Sequence, residues 1–170
     1  PFWSVLSRRL SKHRLWGVAM LYSMVFFALV PLLGEGDIAW FYAISVLTGL
    51  AYGADLVLPP AIQADVVDVD AAESGTERTG VYFALWSVIL KGASGLAGGA
   101  GAIALGLVGF ESGAENSGFA LSALVFLYAG APIILKGLAV AVIWRFPIDA
   151  AAQDALRETI EARAAARGEG

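Results

Sequence analysis

LWGVAMLYSMVFFALVPLLGEGDIAWFYAISVLTGLAYGADLVLPP, Leu15 to Pro60, decides the fold. It holds two long apolar runs, Leu15–Leu33 and Ile38–Leu58, separated by the four polar residues GEGD. A helix needs about 20 mostly apolar residues to cross a hydrocarbon core of about 30 Å. Both runs meet that length. Neither shows the one-sided apolar stripe of a soluble helix, because each is apolar all round. In lipid the backbone must satisfy its own hydrogen bonds, so such runs are helices. GEGD is then a minimal turn between two antiparallel spans. Pro59-Pro60 is expected to end the second, since proline has no amide hydrogen and disfavours helix in the residue before it.

Two further runs extend the pattern. One goes from Val81 to about Phe110 and the other from Phe119 to Phe146. The short polar loop ESGAENS lies between them. The 170-residue chain is 58% hydrophobic and only 15% charged, against about 25% charged in ordinary soluble domains. Its mean hydropathy is +0.72. The expected fold class is therefore all-α and membrane-embedded. The division is a basic segment at 1–14, spans near 15–33, 38–58, 81–110 and 119–146, a cytoplasmic acidic loop at 59–80, and a tail at 147–170. In the tail, Asp149 is a candidate N-cap, and Ile148, Ala152, Leu156 and Ile160 recur every four residues. That spacing predicts a short amphipathic helix lying along a membrane surface or against neighbouring helices.

Orientation follows from lysine and arginine placement. Arg8, Arg9, Lys12 and Arg14 precede the first span, Arg78 ends the acidic stretch, and Arg145, Arg157, Arg163 and Arg167 follow the last. The loops at 34–37 and 111–117 have none. The N-terminal segment, the acidic loop and the tail are expected in the cytoplasm. The absence of cysteine excludes disulfides and thiolate metal sites, and the lone His13 builds no metal site. The acids of ADVVDVDAAESGTERTG, Ala64–Gly80, do not follow the calcium-loop order of alternating acids, glycine and a distal glutamate. No phosphate loop, dinucleotide fingerprint or nucleophile elbow is present, so neither an enzyme nor a cofactor is expected. No feature points to nucleic acid.

Three charges fall inside the spans: Asp55, Lys91 and Lys136. Intramembrane charges are costly and usually face a cavity or a partner. Lys91 lies eleven residues past Gly80, ~16 Å along a helix and close to the midplane. From there snorkelling to an interface is difficult, so Lys91 reads as a cation serving buried carboxylates in a water-filled cavity. Lys136 reads either as a structural partner for another helix or as a second cavity cation. Asp55, three residues before Leu58, reads as a solvated residue at the cytoplasmic mouth. Lys91, Gly95 and Gly99 share one helical face, which suits close packing or a cavity wall with Trp86 nearby.

DVVDVDAAESGTERTGVYFALWSVILKG resembles the loop and helix joining spans ten and eleven of the glycoside–pentoside–hexuronide:cation symporters. These are the melibiose-carrier-like branch of the major facilitator superfamily. The matching residues are Asp65, Asp68, Asp70, Gly75, Arg78, Gly80, Tyr82, Phe83, Ala84, Leu85, Trp86 and Lys91. LYAGAPIILKGLA and WRFPIDAAAQDALRETI resemble the last span and tail of bacterial members, and WSVLSRRLSKHR resembles the segment between spans eight and nine. Glu77, Val69 and Ala71 depart from the pattern, where the family commonly has a base, a tyrosine and an acid.

The resemblance implies spans nine to twelve of a twelve-span symporter in a bacterial inner membrane, moving a sugar or glycoside with sodium or a proton by alternating access. The coupling ion would be bound mainly by an N-terminal half outside this chain, which would be its partner along with lipid and the solute. Lys91 takes the position of the family's helix-eleven lysine, with Lys136, Gly95, Gly99 and Trp86 expected around the same cavity. Asp65, Asp68, Asp70 and Arg78 would form a cytoplasmic gate, with Asp55 at its mouth. Two other readings remain open. One is the same fold carrying a lysolipid or another amphipathic solute. The other is a self-contained four-helix scaffold or assembly protein.

Overall fold

The computed structural model describes residues 11–76 and 78–145. Residues 1–10 of the expected basic start, Glu77 and the tail helix lie outside these residues, as does Phe146. Among the described residues the chain is helical, with four helices long and apolar enough to cross a membrane: Lys12–Leu32, Ile38–Ser74, Thr79–Leu107 and Gly118–Ile143. Helix α1 is Lys12–Phe27, continued by a 3-10 turn at Val30–Leu32 around Pro31. The turn after it is pinned by Asp37, whose Oδ2 accepts from the Gly34 amide at 2.8 Å. Helix α2 is Ile38–Ser74, closed by Gly75 in the left-handed conformation at φ 69°. Helix α3 is Thr79–Leu107. The last span starts at α4, Gly118–Val125, where the Ser117 hydroxyl accepts from the Ala120 amide. A π turn at Phe126–Gly130 leads into α5, Ala131–Ile143.

The second span corrects the sequence expectation. Pro59-Pro60 does not end it; the helix runs through both prolines for 37 residues, and most of the expected acidic loop is helix. At 1.5 Å per residue α2 is ~55 Å long, so ~25 Å of it projects beyond a hydrocarbon core of ~30 Å. The two prolines lack the amides that would bond the Asp55 and Leu56 carbonyls. Tertiary contacts on both sides of the break compensate. Leu58 is fully buried in a cluster with Leu15, Ala19 and Ala54. Beyond the prolines, Lys12 holds Asp65 through both carboxylate oxygens at 2.6 and 2.7 Å. Gln63 Nε2 donates to the Tyr82 carbonyl at 2.7 Å. Proline's local cost is a preference that such packing overrides.

Helix α1 packs on both α2 and α5 and forms the centre of the bundle. A second apolar cluster at the far end joins Val30, Ile44 and Ala129, with Phe26, Phe27 and Leu33 against it. Tyr128 contacts the rings of Phe27 and Phe41 there, at 5.9 and 6.0 Å. Near the other end Gly17 admits Trp144: a Cβ on Gly17 would lie 3.2 Å from the indole. Helix α3 behaves differently, since none of its residues is buried.

Candidate functional site

The three intramembrane charges do not form one group. Asp55 and Lys136 meet: Lys136 Nζ donates to Asp55 Oδ2 at 2.8 Å. Trp16 Nε1 donates to the other oxygen, Asp55 Oδ1, also at 2.8 Å. One carboxylate thus ties α1, α2 and α5 together. Its side chain is 26% exposed and that of Lys136 is 22% exposed. Asp55 is therefore not the freely solvated mouth residue that its nearness to Leu58 suggested. It stays within a turn of Leu58, at the end of the hydrocarbon-length part of α2, and there it lies inside a three-helix junction with Trp16 and Lys136. Lys136 lies seven residues before the end of α5, ~10 Å in from that end. Its partner is 81 residues away, and nothing in its own span identifies it.

Lys91 is exposed on α3 and makes no ion pair with the other described residues. Gly95 and Gly99 are also exposed, and a Cβ on either would meet nothing within 4 Å. Trp86, half-buried and five residues before Lys91, lines an open cleft of about 300 Å³ with Trp16, Pro59, Ile62, Tyr82 and Leu85. Gln63 borders the same cleft, and its Oε1 is buried without a hydrogen-bond partner among the described residues. Of the cavity residues expected from sequence, Trp86, Lys91, Gly95 and Gly99 thus lie along α3, and Lys136 belongs to the Asp55 junction.

The α3 side chains carrying a polar atom between Phe83 and Leu107 are Trp86, Ser87, Lys91 and Ser94. Both serine hydroxyls are occupied within the helix: Ser87 donates to the Phe83 carbonyl at 2.9 Å and Ser94 to the Leu90 carbonyl at 2.8 Å. Lys91 is the charged group this span presents.

The acidic stretch is distributed along the projecting part of α2. Asp65 is buried against Lys12. Asp70 faces Arg78 across the Gly75 turn, at the longer distance of 3.7 Å. Asp68 is exposed and makes no ion pair among the described residues. The Lys12–Asp65 contact also meets an electrostatic need of α1. The first turn of α1 has no acid and carries Lys12 and Arg14, which is the wrong sign for the positive end of a helix dipole. Asp65 supplies the negative charge from a neighbouring helix. Among the described residues no three histidine, aspartate or glutamate side chains converge as a metal site would require.

Four membrane-length helices with charges paired inside the bundle define a multi-pass membrane protein. Residues 1–150 match the family of MFS/sugar transport proteins, and the chain belongs to that family. It is 26% identical over 152 residues to the sodium-dependent lysophosphatidylcholine symporter 1-A of Danio rerio, covering 88% of this chain and 28% of that protein. It is 29% identical over 157 residues to sodium-dependent lysophosphatidylcholine symporter 1 of Homo sapiens, again 88% of this chain and 28% of the relative. An uncharacterized symporter of Synechocystis sp. is 28% identical over 178 residues, covering 95% of this chain and 31% of the relative. The chain spans less than a third of the length of the relatives it matches. Family and relatives are transporters rather than enzymes.

Proposed function

We propose that this chain is the last four spans of a cation-coupled symporter that works by alternating access, and that its solute is an amphiphile with one ionic head, of the lysophospholipid class. Lys91 is the observation that carries the reading. On α3 the serine hydroxyls are tied to their own helix, so this span offers a single cation surrounded by apolar and glycine surface. A sugar site needs several free donors and acceptors to replace water around each hydroxyl. One ammonium beside apolar surface suits a phosphate head on an acyl tail. Two relatives described as sodium-dependent lysophosphatidylcholine symporters support the same solute class and sodium as the coupling ion.

A sugar or glycoside solute is the second reading. It is supported by the family description and by the resemblance of Asp65–Lys91 to the melibiose-carrier branch. In either case the coupling ion would be held mainly by helices outside this chain, which would be its structural partner. The membrane would be a bacterial inner membrane, with the Lys12 and Ser74 ends of the helices cytoplasmic. There Asp65, Asp68, Asp70 and Arg78 would act as gate-side charges.

The test is uptake by the complete protein in proteoliposomes under an imposed sodium gradient, with lysophosphatidylcholine and a glycoside offered separately. Sodium-driven lysophosphatidylcholine uptake that falls at least tenfold in Lys91→Ala supports the proposal. Glycoside uptake alone would replace it with the second reading, and uptake unchanged in Lys91→Ala would remove Lys91 from the mechanism.

A further inference from the structure

We propose that Asp55 and Lys136 are positioning residues of the transport cycle, whose ion pair holds the hydrocarbon arm of α2 and must open and re-form correctly for that arm to complete each cycle. The inference rests on the reading of the chain as part of a symporter. It begins from the break in α2. Pro59 and Pro60 divide the helix into an arm through the hydrocarbon, Ile38–Leu58, and a projecting arm, Ala61–Ser74. The carbonyl that Pro59 leaves without a donor is that of Asp55, four residues back. The turn where the backbone is weakest is therefore the turn whose side chain is tethered.

Each arm has its own anchor. The projecting arm is held by Asp65 on Lys12. The hydrocarbon arm is held by Asp55 on Lys136 and Trp16. Lys12 and Trp16 stand one turn apart on α1, so α1 bridges the break as a splint. The two anchors differ in attachment. The outer one joins α2 to α1 alone, whereas the inner one also reaches α5 and joins the second span to the fourth. Breaking the inner anchor removes the polar link of the long arm to α5, while the outer anchor holds the projecting arm and the Ile44–Ala129 and Phe41–Tyr128 contacts hold the opposite end. That is the arrangement of a hinge with one releasable side.

A static role explains the pair less well. Charges inside a span are costly, and apolar side chains of the same size hold two helices together at least as well. An aspartate and a lysine at this place make sense if the contact has to open. Both side chains are partly exposed, 26% and 22%, so neither is sealed inside this bundle. The tryptophan adds direction, because its indole holds Asp55 from the α1 side. A carboxylate released by Lys136 thus stays oriented for the lysine's return.

The experiment uses the complete protein, with Asp55→Asn, Lys136→Gln, the double variant and the charge exchange Asp55→Lys/Lys136→Asp. Maximal uptake rate and half-saturating solute concentration are measured at matched amounts of folded protein in the membrane. Hydrogen exchange over residues 52–60 is measured on the same samples. Each single substitution should lower the maximal rate at least fivefold and change half-saturation less than threefold. It should also raise exchange over 52–60. The charge exchange should recover at least half of the lost rate and restore protection. A double neutral variant with wild-type rate would overturn the proposal, as would a Lys136→Gln effect confined to half-saturation, which would make Lys136 a solute ligand. Wild-type protein that takes up neither solute class under a cation gradient would refute the proposed function instead. Exchange over 52–60 then judges the tether by itself, and unchanged protection in both single variants would overturn it.

Discussion

Replacing Asp65 with asparagine tests whether the acidic extension of α2 secures the start of α1. The contact is short and two-pronged, 2.6 and 2.7 Å from Lys12 Nζ, with 11% of the Asp65 side chain and 21% of the Lys12 side chain exposed. Unit charges 2.7 Å apart attract by ~6 kcal/mol at an effective dielectric constant of ~20, before desolvation is counted. Removing one partner of a buried pair costs about 3–5 kcal/mol, most of it from the stranded charge. Lys12 is at a helix end and part-exposed, so it rehydrates in part, which lowers the expected loss to about 2–3 kcal/mol. About 0.3–1 kcal/mol of that is the unfavourable placing of an unpaired cation at the N-terminus of α1. The Lys12→Met/Asp65→Asn double variant strands no charge and should return to within ~1 kcal/mol of wild type. The assay is equilibrium unfolding of the complete protein in mixed micelles, read by tryptophan fluorescence and arranged as a double-mutant cycle. A coupling below ~0.5 kcal/mol, with the losses adding, would refute the reasoning, because independent sites behave in that way.

Three further outcomes are expected. Gly17→Ala should be nearly neutral, since a helix-propensity gain of ~1 kcal/mol offsets a small shift of the Trp144 ring, whereas Gly17→Leu should cost ~1–3 kcal/mol by displacing it; thermal unfolding of both variants checks the contrast. Asn116→Ala removes bonds to the Glu111 amide, the Glu111 carbonyl and the Ala114 carbonyl, and limited proteolysis should then cut at 111–117 several-fold faster. Pro59→Ala/Pro60→Ala restores donors to the Asp55 and Leu56 carbonyls, so it should slow hydrogen exchange around the break and raise the unfolding temperature. A lowered unfolding temperature would show that the proline rings themselves are needed for packing.

The four spans were readable from hydropathy, because crossing hydrocarbon imposes a length and a composition that single residues cannot disguise. What failed was punctuation. Pro59-Pro60 signals a stop by a local rule, but the residues that carry the helix past it, Leu15, Lys12 and Tyr82, are distant in sequence. Asp55 keeps its place near Leu58; what its own span could not show is its partners, Trp16 and Lys136, 39 and 81 residues away. Lys136 needed a partner, and α5 gives no hint of where that partner lies. Lys91 stood out at once because no neighbour in the sequence could neutralise it, and α3 gives it none among the described residues.

Helix α3 contains seven glycines in 29 residues and buries none of its side chains within this chain. In water each glycine would weaken a helix by ~1 kcal/mol relative to alanine, about 6–7 kcal/mol over the whole span. Hydrocarbon removes the competing water, so the backbone bonds hold there regardless of propensity. The bilayer is thus the agent that makes α3 a helix, where α1, α2 and α5 also have one another. Extraction into a small, wet micelle should melt the Lys91 span first, while the bundle around Trp16 persists. The signals of Trp16 and Trp144 can therefore report a folded bundle after α3 has been lost, and only Trp86, among the described tryptophans, sits on the helix that would report that loss.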